Sequence, residues 1–323
     1  MQQLDTPAPV DLTVRNRSGW IEVTAHSAPT TEVDLVPLNA ESEDLVRRTH
    51  IDATPTDVGH RVVVEVPEPD SSWGWIGRGS GIGMLRGFAA GWGVGVRVRV
   101  PEASRLHVQS ASADVHAEGR FGATRIHTAS GDVSLDVVSE AEVETASGEV
   151  RVEQVERSLR AYTASGDMQI RHVSGPLHLR SASGSQTVMA MDGDGECESA
   201  SGDIHVGRAW GQLSARAASG DIMVRESHGG LSLQSQSGDL EVRVAHQGRI
   251  TAEAISGDVT VGIAQGSRVA VNAHTRSGDL TSEISLHNEP SGDEGAGPLV
   301  ELRAHTVSGD VRIVRARTAS AAV

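Results

Sequence analysis

Eight aspartates stand at the third place of a recurring Ser-Gly-Asp corner: Asp132, Asp167, Asp203, Asp221, Asp239, Asp258, Asp279 and Asp310. Carboxylates stacked along one corner could hold a series of Ca²⁺ ions. They could equally accept hydrogen bonds from the backbone N–H groups of their own turns. Glu149 and Ser185 interrupt the column, which suits turn chemistry better than strict ligation, so no metal site is assigned there. A second column, three residues before the corner Ser, carries Glu253, His274 and His305, and two imidazoles with a carboxylate form a donor set for a divalent ion. If coils follow chain order, the three span about 10 Å over three coils, so one ion reaches two of them more easily than three. Elsewhere the column reads Gln109, His127, Glu144, Tyr162, Arg180, Glu198, Arg216 and Gln234, the mixture of an ordinary solvated face.

Catalytic signatures are missing. Gly-x-Ser-x-Gly, His-Glu-x-x-His and a phosphate loop do not occur, and Gly79, Gly81 and Gly83 follow no predicted strand and lack dinucleotide spacing. Polysaccharide-cleaving enzymes need acids, or an Arg with acids, converging in one groove. The outward columns supply no such cluster on a single coil. The reading is of a non-enzyme with no cofactor.

One segment breaks the chain's character. Between Ser71 and Val100 stand Trp73, Trp75, Phe88 and Trp92, four of the eight aromatics, with Arg78, Arg86, Arg97 and Arg99 and no acid. Trp beside Arg is the composition of protein-binding and membrane-interface surfaces. Trp73, Trp75, Arg78, Arg86, Phe88 and Trp92 are therefore the candidate interaction residues, against the plainer alternative of a Gly-rich insertion folding over an open end of the fold.

The elements that position these residues are set by self-similarity. The corner Ser recurs at 112, 130, 147, 165, 183, 201, 219, 237, 256, 277 and 308, a period near 18 that fits one coil of a β-solenoid per repeat. Six residues before the Ser stand Leu106, Leu159, Leu177, Leu213 and Leu231, and four before it Val108, Ile126, Val143 and Leu179, with polar residues between. That alternation is a strand with one face inward. Three and five beyond the Ser, Val133 with Leu135 and Ile222 with Val224 mark a second strand, and Val138, Val155, Val173 and Met191 mark a third inward contact. Thr128, Thr145, Thr163, Ser181 and Ser199 suit an inward hydroxyl ladder at the corner. Arg125 with Glu142 and Glu144, and Arg180 with Glu196, Glu198 and Arg216, suit cross-coil ion pairs. The expectation is an all-β, single-stranded parallel β-helix, right-handed by the general bias of parallel connections.

The ends read differently. Leu12, Val14, Ile21 and Val23 fit one coil that starts or caps the stack, Glu41 to Arg48 suit a short helix, and Arg61 to Val66 a strand closed by Pro67. Four regions result: a β-rich cap with the first coil over 1–70, the Gly/Trp-rich insertion and joining strand over 71–100, the solenoid over 101–315 with a surface loop at 287–297, and a disordered tail over 316–323. The 31-residue final interval is assigned to that loop. A lone Cys197 excludes a disulfide framework, and a net charge of −15 disfavours nucleic acid. No 18-residue uncharged apolar run and no basic-then-apolar leader is seen, so a soluble, cytoplasmic chain is expected, with peripheral membrane contact through 71–95.

The repeated Thr-Ala-Ser-Gly-Asp-Val-x-Val pattern, the opening Leu-Thr-Val-Arg-Asn-Arg-Ser-Gly-Trp-Ile-Glu-Val and the joint Arg-Val-Pro-Glu-Ala-Ser-Arg-Leu resemble the DUF4097 ("putative adhesin") family, whose members are also described as toastrack domains. The resemblance covers about residues 10 to 315. It implies a right-handed β-helix and a scaffold role associated with bacterial envelope-stress systems, and carries no catalytic motif over. Many relatives are joined to membrane helices, which this chain does not show. The leading expectation is a scaffold that binds protein partners or self-assembles; the alternatives are an adhesin-like glycan-binding module and a polysaccharide-acting β-helix enzyme.

Overall fold

A computed structural model describes residues 2–40, 42–57, 59–68, 93–284 and 297–316. The six candidate interaction residues between Trp73 and Trp92, nearly all of the loop at 287–297 and the tail beyond Ala316 lie outside these residues. The chain divides into two compact units, Met1–Glu149 and Val150–Val323.

In the first unit the strands are β1 (Gln2–Asp5), β2 (Val10–Asn16), β3 (Gly19–His26), β4 (Thr30–Pro37), β5 (His50–Thr56), β6 (Gly59–Glu65), β7 (Val94–Pro101), β8 (Arg105–Ser110), β9 (Asp114–Thr128) and β10 (Val133–Thr145), with one helix, α1 (Ser42–Arg48). The Asn39 side chain accepts from the Ser42 N–H at 2.8 Å, and acids in the first turn with arginines in the last suit the helix dipole. The opening coil does not begin the stack. β2 pairs in parallel with both β6 and β8, and β3 with both β7 and β9, so the first coil in sequence is second in space. The strand expected at 61–66 is thus a solenoid strand itself, lying outside β2. The outer edges of β6 and β7 are covered by antiparallel β5 and β4, which keeps their N–H and C=O groups from being left unpaired.

The second unit holds β11 (Val150–Thr163), β12 (Met168–Val173), β13 (Leu177–Ser181), β14 (Gln186–Met191), β15 (Gly195–Ser199), β16 (Ile204–Ala209), β17 (Leu213–Ser219), β18 (Ile222–Ser227), β19 (Leu231–Ser237), β20 (Leu240–Ala245), β21 (Gly248–Ser256), β22 (Val259–Ile263), β23 (Arg268–Ser277), β24 (Leu280–Ser282), β25 (Leu299–Ser308) and β26 (Val311–Arg315). Leu177, Gly195, Leu213 and Leu231 are successive partners, as are Ile204, Ile222 and Leu240, which fixes the 18-residue coil. The inward columns are buried as the alternation requires: Leu213, Val224, Val173 and Met191 are each 0% exposed. Gln186 is buried in a column otherwise apolar, and its Nε2 donates to the Glu198 carbonyl.

Coil order changes near the end. β25 pairs with β21 on one side and β23 on the other, and β26 pairs with β22 and β24. The last coil in sequence is inserted between the two coils that precede it, so the 31-residue interval carries a return into the stack. β23 and β24 form the edge among the described residues, and their core columns are open: Leu280 is 45% exposed. No helix among the described residues is long and apolar enough to cross a membrane.

Candidate functional site

The Ser-Gly-Asp corner owes its composition to close stacking. The Thr128, Thr145, Thr163, Ser181 and Ser199 hydroxyls each accept from the N–H of the corner glycine three residues on, at 2.7 to 3.1 Å, so the expected ladder forms. A Cβ on Gly184 would collide with the Gly166 carbonyl of the coil below. The aspartates differ from expectation in one respect. Asp203 Oδ1 accepts from the N–H of Asp221, Asp221 from Asp239, and Asp239 from Asp258, each at 2.8 to 2.9 Å. The amide partner belongs to the next coil rather than to the aspartate's own turn. The chain of bonds also traces the inserted order: Asp258 accepts from Asp310, and Asp310 from Asp279. Each accepting carboxylate thereby offsets its like-charged neighbours with an N–H dipole, which gives these aspartates a role that needs no cation.

The outward face formed by the columns five and three residues before the Ser is an ion-pair ladder. Arg125 meets Glu142 at 2.7 Å, His127 meets Glu144 at 2.9 Å, and Arg216 meets Glu196 and Glu198 at 3.0 and 3.4 Å. These groups are one-third to more than half exposed, so each pair contributes about 0.2–1 kcal/mol. In the column three residues before the Ser the order at the far end is Glu253, His305, His274, not the sequence order. The two imidazoles stack with centroids 5.5 Å apart. His107, beside His127, has its pKa lowered by burial and by the neighbouring His127, Arg125 and Arg15 charges.

The second unit carries a groove of about 890 Å³ on its outward face. It is built by β11, β12, β14, β16 and β18, whose outward side chains repeat at the coil period. Along one row lie Glu153, Arg171, Met189, Gly207 and Arg225; along the next, His172, Ala190, Arg208 and Glu226. Gly207 and Ala190 make a low floor because they carry little or no side chain, while Arg171 and Arg225 stand three coils, or about 14 Å, apart at its ends. A Cβ on Gly207 would collide with the Met189 carbonyl, so glycine there is dictated by strand approach. Met189 is 53% exposed, an apolar contact among guanidinium groups. Such a surface can hold an elongated ligand that carries carboxylates, since guanidinium pairs with carboxylate in a planar, two-pronged fashion.

A further column escaped the sequence reading. Trp210, His228 and His246 stand nine residues after three consecutive corner serines, and their rings stack face to face: centroids are 3.9 Å apart for Trp210 and His228, and 4.2 Å for His228 and His246. Glu226 Oε1 lies 3.2 Å from His228 Nε2 and 3.0 Å from His246 Nε2. The identical spacing of 18 at 210, 228 and 246 is the signal of this column in the sequence.

Parallel strands with an 18-residue coil, an inward hydroxyl ladder and Gly-Asp corners define a β-solenoid. A model of the Toastrack DUF4097 family matches residues 64–210 and 209–314, and the chain belongs to that family. Comparison with curated proteins finds no match. Among solved structures, the chain is similar to the crystal structure of a putative cell adhesion protein from Clostridium sporogenes, with 10% identity, 96% of this chain and 94% of that chain covered, and a TM-score of 0.21.

Proposed function

We propose that the chain is a non-catalytic β-solenoid scaffold that engages acidic segments of protein partners through the arginine-lined groove of its second unit. The observation that carries this reading is the placement of Arg151, Arg171, Arg208 and Arg225 around one groove in a chain of net charge −15. Against these four guanidinium groups stand the carboxylates of Glu153, which meets Arg171 at 3.0 Å, and Glu226. Arginine clustered against the overall charge steers an anionic partner to one place. The family resemblance supports a scaffold role in an envelope-stress setting, and the composition of 71–95 supports a second contact there, with protein or with a membrane surface.

The test is fluorescence anisotropy of a labelled Glu-rich peptide at two salt concentrations. Binding should weaken with salt and fall at least about tenfold when Arg171, Arg208 and Arg225 are changed together to Ala. Unchanged binding in that variant would sink the reading. The same guanidinium geometry suits a uronate-bearing glycan, the basis of the adhesin-like alternative, so polygalacturonate is the parallel arm; preference for it over the peptide would favour that alternative. Cleavage of the polygalacturonate would make the protein an enzyme.

A further inference from the structure

We infer that Glu226, His228 and His246 form a binding site for a divalent transition ion of the zinc class. Their three donor atoms all lie within 4.8 Å of one another. A four-coordinate Zn²⁺ site has metal–nitrogen distances of about 2.0–2.1 Å and metal–oxygen distances of about 2.0–2.2 Å, which puts ligand atoms roughly 3.3 Å apart. Glu226 Oε1 is 3.2 Å from His228 Nε2 and 3.0 Å from His246 Nε2, so the carboxylate is at ligating separation from both nitrogens already, and the two nitrogens lie within 4.8 Å of each other. Each imidazole donates a proton to the shared carboxylate oxygen in that arrangement. An ion takes the place of both protons, which pass to Nδ1 by tautomerisation or to solvent, and both rings turn out of their 6° stack so that the ion lies in the plane of each imidazole.

The frame beneath these side chains is fixed. His228 N–H donates to the Ala209 carbonyl at 2.8 Å, and the His228 carbonyl accepts from Gln247 Nε2 at 3.0 Å. His246 N–H donates to the Ser227 carbonyl at 2.9 Å, and the His246 carbonyl accepts from Ser267 Oγ at 2.8 Å. Trp210 covers the outer face of the His228 ring. The histidine side chains are 20% and 35% exposed, which leaves an approach for the ion and one open coordination position for water. Arg208 pairs in register with Glu226, and Arg225 adjoins it; both oppose a cation. Two imidazoles and one carboxylate favour zinc, copper or nickel over calcium and magnesium, which prefer all-oxygen shells. Cys197 is fully buried and does not compete as a surface thiol.

The site shares Glu226 with the groove, whereas His228 and His246 do not line it, so His228 and His246 variants test the ion without touching the partner-binding arginines. The test uses tag-free full-length protein, stripped with a chelator and titrated with Zn²⁺ by calorimetry, and with Co²⁺ by visible absorption. One ion per chain is expected, with a Co²⁺ spectrum of tetrahedral intensity and a rise in melting temperature on Zn²⁺ addition. His246→Gln and Glu226→Gln should each weaken binding at least about tenfold and lose the Zn²⁺-dependent melting shift, whereas His274→Gln should keep both. Melting of each variant in chelator shows whether it folds, and His228→Asn serves if His246→Gln does not. Absence of a bound ion, or binding that survives all three site variants, would show the column to be a ring stack only.

Discussion

At the scale of single residues, burial and stacking decide most of what each side chain can do. Leu213 is fully buried and Gln212 before it points outward, so Leu213→Ala should cost about 2–5 kcal/mol through lost transfer energy and a cavity, and Gln212→Ala far less. Equal shifts in urea midpoint for the two would contradict the register. Cys197 has its thiol pushed up to about 12, chiefly by burial and secondarily by Glu196. The thiolate is the reactive form, so an aromatic disulfide reagent at pH 8 should label native protein only at the rate of unfolding, and labelling within seconds would place the thiol elsewhere. The aspartate corner gives a third expectation. Because the Oδ1 atoms of the stacked aspartates inside the column are held by amides of the next coil, Ca²⁺ added to chelator-stripped protein should leave the melting temperature unchanged, and a large rise would reinstate the cation reading.

At the scale of elements, the informative feature is the order in which coils stack. Glu253 is paired with His305, which in turn is paired with His274. Adjacent parallel strands lie about 4.8 Å apart, within disulfide reach, while strands two steps apart exceed the limit of about 7 Å between Cα atoms. Glu253→Cys combined with His305→Cys should therefore cross-link on mild oxidation, and Glu253→Cys combined with His274→Cys should not. The reverse outcome, read by proteolysis and mass spectrometry, would restore the order of the sequence. In the first unit the same device places β2 and β3 second, with antiparallel β4 and β5 covering the outer edges. Insertion gives the opening and closing coils neighbours on both sides, so each is held by two ladders of hydrogen bonds in place of one.

For the molecule as a whole, charge and aromatic content are distributed unevenly. Four of eight aromatics lie between Ser71 and Val100, with four arginines and no acid. If that stretch is an interaction segment, changing Trp73, Trp75 and Trp92 together to Ser should abolish self-association in sedimentation velocity, or binding to anionic vesicles in co-sedimentation, with circular dichroism and melting intact. A triple variant that keeps both activities, or a wild type that shows neither, would reduce the segment to a linker.

The sequence by itself determined the coil. The alternation around Leu177 and Leu179, the apolar pair Ile222 and Val224 after the corner, and the Thr145 and Ser181 hydroxyl column are local periodicities, and a strand buries alternate residues whatever its neighbour is. What it could not determine is which coil lies beside which. The inward residues of the first strand are nearly equivalent in the coils at Ser256, Ser277 and Ser308, namely Ile250 with Ala252, Val271 with Ala273 and Leu302 with Ala304, so that strand does not fix which coil lies beside which. Only the packed structure settles that β25 enters between β21 and β23, and with it that Glu253 faces His305. The groove and the Glu226, His228 and His246 cluster were illegible for a related reason: each combines side chains from several coils, and their meeting depends on the stack bringing residues 18 or more positions apart to within a few ångströms.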